Sequence, residues 1–475
     1  MKGISNRNSV IKSAEVAASS RCKIGGASSF AVGIDIGTTT ISAAVIDLTQ
    51  KVVCASFTTP NSSSVKDDNP AFSLQDAKVI AFKVKELADK IISKYDNISV
   101  IGLTGQMHGI VYVDKAGKAV SHLTTWQDQR GALLQEKSGK SYCEELSLIS
   151  GQRISTGYGF ATHFYNLKNQ LVPNDAYSFC SIMDYAGLFL TKRTAPLIHS
   201  SVAASFGLYD LRKHEFIAMA QELMGKTMRL PSVTDDFAIL GQYEGVPVAV
   251  AIGDNQASFL GSVKSPKDSI LVNIGTGSQI TAMADFCEPQ NGSELRPLAK
   301  GRYLLCASAL CGGASYALLE GFFSDYGKAL TGVSQSQYEL MNRLASEGFN
   351  ARTEALKVDT AFSGTRLHPD KRGVIANISP ANFTPTGLIL GFLYGMCQEL
   401  KDLFPWDMCG KKVEVVASGG AVRRICVMKN IIGEVFAMPV SLSNGKEEAS
   451  VGAALFGAAA QGSLAGIEDF SVFIS

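Results

Sequence analysis

Asp254 follows Gly253 at the end of an almost wholly apolar run, residues 246–252, and is followed by Asn255 and Gln256. Polar residues just past the carboxyl end of a buried strand sit where open α/β sheets bind ligands. A carboxylate in that place has a definite use. Moving a phosphoryl group onto an alcohol requires a base to take the hydroxyl proton and a cation to neutralise the phosphates. Asp254 is the candidate base. Asp35, with Asp254, is the candidate holder of Mg²⁺, which takes a few carboxylates plus phosphate oxygens. Read locally, Asp254 could also be a helix N-cap.

Asp35 lies inside a phrase that the chain uses twice: Gly33-Ile34-Asp35-Ile36-Gly37-Thr38-Thr39 and Leu271-Val272-Asn273-Ile274-Gly275-Thr276-Gly277. Each copy is an apolar run, Asp or Asn, Ile-Gly-Thr, then a second β-prone run, which predicts a hairpin. Glycine lets a ligand approach the backbone, and the amides and hydroxyls of such a turn can donate to phosphate oxygens. Gly37, Thr38 and Thr39, with Gly275, Thr276 and Gly277, are therefore candidate phosphate contacts. Two copies imply two related domains gripping one polyphosphate from opposite sides. Neither GxxxxGK[ST] nor a complete GxGxxG is present, so a nucleotide would be held by hairpin turns.

Three further segments could line a site. Gly105-Gln106-Met107-His108-Gly109 follows a short apolar strand; its flanking glycines and Gln106 suit a polar pocket wall, with a structural histidine the equal alternative. Trp126-Gln127-Asp128-Gln129-Arg130 combines an aromatic face with donors and acceptors, as polyol binding requires, although a surface loop reads the same. Ser418-Gly419-Gly420-Ala421-Val422-Arg423-Arg424 would let a flat base lie against bare backbone under an arginine, or would simply start a helix.

The elements that must carry these residues read as α/β. Three strand-like runs fill residues 31–58. A helix over 75–93 shows Val79, Ile80, Val84, Leu87, Ile91 and Ile92 on one face, and a short strand covers 99–104. Residues 264–268 mark the crossing into a second domain. A helix over 389–403, a strand over 413–417 and an Ala/Gly-rich helix over 449–460 follow. The domains expected are 30–262 and 263–475, after an N-terminal extension, 1–29, that holds five basic residues and one Glu. That extension reads as disordered, with organelle targeting the alternative.

With 44 basic and 43 acidic residues the net charge is +1, which gives no electrostatic case for nucleic acid or an anionic membrane. The 10 cysteines show no CxxC and no zinc spacing. They read as buried free thiols of a cytoplasmic protein.

In this order the segments resemble the FGGY carbohydrate kinases, within the group that shares the actin-like, ribonuclease-H-like fold. The likeness runs from Ala31 to about Gln461. It implies two ribonuclease-H-like domains with a cleft between them, ATP and Mg²⁺ as cofactors, and a sugar as substrate. It places the family's base on Asp254, its phosphate turns on Gly37-Thr38-Thr39 and Gly275-Thr276-Gly277, and its adenosine turn on Gly419-Gly420, with Arg424 beside it. The ketose pocket falls on Gln106, Met107, His108, Trp126, Asp128, Asp254 and Asn255. Residues 120–128, 156–162 and 254–258 look like the versions in members that act on a seven-carbon ketose, with five-carbon ketoses the alternative. Ile425 stands where many members carry Asn, so nucleotide selectivity is open. A homodimer is compatible with the sequence. Rival readings are a nucleotide-switch ATPase of the actin or chaperone kind and a sugar-binding protein without catalysis.

Overall fold

The computed structural model describes residues 14–17, 28–290, 292–443, 445 and 447–474. They fall into two compact units, one running to Gly261 and taking in the segment that ends at Phe473, the other running from Ser262 to Gly445. Each is described by itself.

The first unit is built on a sheet of Ala14–Ala17 (β1), Phe30–Ile36 (β2), Thr40–Asp47 (β3), Val52–Pro60 (β4), Ile98–Gly105 (β5), Ile239–Tyr243 (β6) and Val246–Ala249 (β7). Their order is β1-β4-β3-β2-β5-β7-β6, and the two-residue strand Ile252–Gly253 pairs with β5. β2, β3 and β4 form the antiparallel meander expected over residues 31–58, and β5 joins β2 in parallel. Of the proposed extension, residues 1–29, only 14–17 and 28–29 are among the described residues. β1 lies there and pairs antiparallel with β4.

The second unit repeats that path. Its strands are Ser269–Ile274 (β8), Ser278–Ala284 (β9), Glu294–Ala299 (β10), Arg302–Ala309 (β11), Glu414–Ser418 (β12) and Val440–Leu442 (β13), in the order β10-β11-β9-β8-β12-β13. The core of each sheet is the same: β4-β3-β2-β5 in one and β11-β9-β8-β12 in the other, antiparallel twice and then parallel. The duplication heard in the Ile-Gly-Thr phrase is thus a duplication of topology, as expected for two ribonuclease-H-like domains.

The sequence reading assigned all of residues 263–475 to the second domain. The closing helix, Glu448–Ala460, instead packs on β2, β5 and β3 of the first. Glycines make this contact: a Cβ at Gly33 would overlap the Ser450 carbonyl and one at Gly102 the Ala453 carbonyl, while one at Gly452 would overlap the carbonyl of Ala257 in the helix Asp254–Ser262. Backbone meets backbone, so the helix sits closer than side chains would allow.

The helix expected over 75–93 is Ala77–Ile92, capped by Asp76, whose carboxylate accepts from the amides of Lys78 and Val79. It buries Ile80, Val84, Leu87 and Ile91, spaced by three or four residues, while Val79 falls off the stripe and is exposed. The free-thiol reading holds for Cys143, Cys180, Cys306, Cys311, Cys397 and Cys409, which are buried. Cys287 is half-buried and Cys426 exposed, and Cys54 is disulfide-bonded. Among the described residues no helix is long and apolar enough to cross a membrane.

Asp184, in the helix Ile182–Thr191, is buried and accepts from the Ser181 hydroxyl at 2.6 Å. Burial pushes its pKa up to about 7 from 3.8. The folded protein therefore binds a proton that the unfolded chain has released between about pH 4 and 7, so stability falls as pH rises through that window. Asp184→Asn is expected to flatten the fall, removing a slope of up to about 1.4 kcal/mol per pH unit. Urea unfolding from pH 4 to 8 measures it; an unchanged slope would show that Asp184 ionises normally in the fold.

Candidate active site

Around the first Gly-Thr turn a polar network has formed. Trp126 Nε1 donates to Thr38 Oγ1 at 3.1 Å, and that hydroxyl faces Gln106 Oε1 at 3.5 Å. Gln75 Nε2 donates to the Thr38 carbonyl at 2.8 Å, while Gln106 Nε2 donates back to Gln75 Oε1 at 2.8 Å. Asn61 Nδ2 secures the Gly37 carbonyl at 2.7 Å. Three predicted residues, Thr38, Gln106 and Trp126, are thereby brought together. Gln75 and Asn61 were missed, because single amides in unremarkable segments carry no local signal. Thr39 is exposed in the same turn. Gly37 does not take a left-handed conformation; its bareness matters because a Cβ there would press on the Thr40 carbonyl at 2.9 Å.

Gln106-Met107-His108-Gly109 leaves β5 beside the strand Ile252–Gly253, with Gly253 registered on Gly105. A Cβ at Gly253 would lie 2.7 Å from Met107 Sδ, so Met107 covers the residue before Asp254. His108 is held at φ +71°, an uncommon conformation for a side-chain-bearing residue. Its amide donates to Ser205 Oγ at 3.2 Å, its Nδ1 lies 2.8 Å from the Ser205 carbonyl, and its ring stacks on Tyr158 at 4.8 Å and 7°. The Nδ1 contact assigns the ring proton to Nδ1, since a carbonyl can only accept.

Asp254 opens the helix Asp254–Ser262, half-buried, with the Asn255 amide donating to its Oδ1 at 2.6 Å. Asp35 stands opposite Ser42 on β3, and Ser42 opposite Thr58 on β4. The Ser42 hydroxyl lies 3.5 Å from that of Thr58, which donates to Glu447 Oε1 at 3.2 Å. Asp35's pKa is pushed up to about 7, by burial first, then by the charges of Asp254 and Glu447. Three carboxylates thus share one field, and a cation there would relieve it. Two of them suit Mg²⁺, which completes its shell with water and phosphate oxygens. Among the described residues, no group of three His, Cys, Asp or Glu side chains is arranged to hold a metal by itself. Glu447 was not foreseen, since its segment read as part of the other domain.

Asp128 is differently employed. It is fully buried, and its oxygens accept from Arg130 Nε at 2.7 Å, Arg130 Nη2 at 3.0 Å and the Ser73 amide at 2.8 Å. Such a paired fork fixes a loop and leaves little to offer a sugar. Trp126, by contrast, is 45% exposed.

On the second unit, Gly275, Thr276, Ala421, Arg424 and Ile425 line a cavity of about 340 Å³ with the helices Gly312–Thr331 and Tyr338–Asn350. The helix start is bonded to the turn: the Gly313 amide donates to the Gly275 carbonyl at 2.7 Å and the Ala314 amide to that of Thr276 at 2.9 Å. Gly419 is at φ +99°, and a Cβ there would strike the Ile274 carbonyl and Asn273, so only glycine fits. Arg424 folds over Gly420, its Nε donating to that carbonyl at 3.1 Å. Gly277 is exposed in the turn. Tyr316 and Asn342, bonded at 3.0 Å, also line the cavity and were missed. A signal existed: Gly312-Gly313-Ala314 repeats the Gly419-Gly420-Ala421 phrase, again after a strand.

Two ribonuclease-H-like units, each with a Gly-Thr turn, define a protein of the actin-like ATPase fold. In solved structures the fold recurs in gluconate kinase from Lactobacillus acidophilus, with a TM-score of 0.78 and 17% identity over 94% of this chain and 92% of that one. Residues 30–261 match the FGGY family of carbohydrate kinases, N-terminal domain. Sedoheptulokinases from Mus musculus and Homo sapiens are 26% and 27% identical to this chain, each alignment covering 89% of it and 96% of the relative. Over residues 30–261 the chain carries the N-terminal domain of the FGGY carbohydrate kinases, and it is a phosphotransferase with an alcohol group as acceptor.

Proposed function

We propose that this chain transfers the γ-phosphoryl group of ATP to the terminal primary hydroxyl of a ketose, sedoheptulose above others. The observation that carries the reading is the corner of the first unit where the Thr38 turn, Gln106, Met107, His108 and Trp126 gather beside the strand that ends in Asp254. The likeness to sedoheptulokinases over most of the chain supports the choice of sugar.

In this reading Trp126 and His108 present a face and a ring nitrogen to the ketose, and Asn255 flanks the reacting hydroxyl. Asp254 takes the hydroxyl proton as the new bond to phosphorus forms. Amides and hydroxyls of Gly37-Thr38-Thr39 and Gly275-Thr276-Gly277 bind phosphate oxygens, and the 340 Å³ cavity lined by Ala421 and Arg424, which follow Gly419 and Gly420 in the chain, receives the nucleoside. Asp35 and Asp254 would hold Mg²⁺, which when bound neutralises charge on the transferring phosphates.

A coupled assay of ADP release across sedoheptulose, xylulose, ribulose, gluconate and glycerol tests this. Sedoheptulose is expected to give the highest kcat/KM by at least about tenfold, a margin of roughly 1.4 kcal/mol in transition-state binding. A pentulose in first place would transfer the reading to that sugar. ATP turnover indifferent to every sugar would end it.

A further inference from the structure

Ser200–Ser205 is a helix of six residues, and both of the first unit's key segments hang from it. At its start is His199, fully buried and edge-on to Phe456 of the closing helix at 5.3 Å. His199 Nδ1 lies 3.2 Å from the Ser201 amide and 2.8 Å from the Ser201 hydroxyl. A ring nitrogen that accepts an amide proton is the bare one, so the Ser201 hydroxyl also donates to it. Burial agrees, lowering the His199 pKa to about 4 and keeping the ring neutral. With its proton committed to His199, the Ser201 oxygen can only accept. It takes the Gly253 amide, at 3.1 Å. Gly253 has no side chain to anchor it, and it is the residue before Asp254.

At the other end of the helix, Ser205 receives the His108 amide on Oγ and faces His108 Nδ1 with its carbonyl. The same short helix therefore grips the Met107-His108 loop at one end and the approach to Asp254 at the other.

We propose that Ser201 is a positioning residue for phosphoryl transfer: oriented by His199, its hydroxyl holds the Gly253 amide and thereby aims the carboxylate of Asp254. The inference rests on the reading of Asp254 as base. A group that must meet a hydroxyl at hydrogen-bond distance tolerates little displacement, and a shift of about 1 Å costs on the order of 100-fold in rate. Losing Ser201 also leaves a buried amide unpaired, which favours local rearrangement of that segment.

The test is steady-state kinetics of the full-length chain with its best ketose. Ser201→Ala is expected to lower kcat by tenfold to a hundredfold while KM for the ketose changes less than about threefold. Ser205→Ala, acting on His108, is expected to show the opposite split, a raised KM with kcat within about threefold. Equal loss of kcat in both variants, or unchanged kcat in a folded Ser201→Ala, would overturn the proposal. If Ser201→Ala does not fold, Ser201→Cys is read by the same criterion. Asp254→Asn keeps the two failures apart. If it retains turnover, the base assignment has failed; if it is inactive while Ser201→Ala runs normally, only the positioning role has.

Discussion

Asp254→Asn should lower kcat by about 10²–10⁴-fold, the range a general base supplies, while ADP affinity measured by calorimetry stays within about threefold. Asparagine keeps the size and the acceptor oxygen that the Asn255 amide uses, so the helix start is preserved. It cannot take a proton at neutral pH. The split between chemistry and binding is sharp because the cavity assigned to the nucleoside is lined by residues 275–425 of the second unit alone. A residue that served only as a helix cap would tolerate this change, since asparagine caps a helix as well as aspartate does, and both stability and turnover would stay close to those of the unaltered chain. Near-normal kcat in folded Asp254→Asn would therefore return the residue to that structural role, and the proposed mechanism with it.

Gly33→Ala should be among the most damaging single added methyls in the first unit. Its Cβ would occupy the space of the Ser450 carbonyl and crowd the Ala454 amide, both backbone atoms of the closing helix. Neither can rotate away as a flexible side chain would. Overpacking costs about 1–3 kcal/mol where side chains can adjust, so a loss of about 3 kcal/mol or more is expected here. The readout is the urea midpoint of the first unit's transition at unchanged slope. Activity should fall as well, since β2 delivers Asp35 and the Gly37 turn. Gly321→Ala is the control. That glycine is inside a helix with open space around its Cβ position, so alanine should be neutral or stabilising by up to about 1 kcal/mol. Equal midpoints for the two variants would mean that the closing helix is not packed on β2 as described.

Much of the site was legible because its signals are local. Gly37-Thr38-Thr39 and Gly275-Thr276-Gly277 were visible as turns between two β-prone runs, and Asp254 as a polar residue capping an apolar strand. Trp126 and Gln106 were visible only as segments of suitable chemistry; their meeting at Thr38 required the fold. Asp128 shows the limit from the other side. Its type suited a sugar, yet Arg130, two residues on, and Ser73, far upstream, had already engaged its oxygens. No pattern of residue types distinguishes a carboxylate that faces a ligand from one that braces a loop.

The sequence by itself determined the strand meander, the duplicated topology and the polar residue just past the apolar run over 246–252, which the fold divides into the strands Val246–Ala249 and Ile252–Gly253, because periodicity and turn chemistry act over a few neighbouring residues. Tertiary structure alone decided that the last long helix returns to the first sheet, that Glu447 joins the field of Asp35, and that Ser201 reaches Gly253. Each of these depends on contacts between residues tens or hundreds of positions apart. A glycine that lets two backbones touch is written with the same letter as a glycine that turns a loop, and only the packed fold tells them apart.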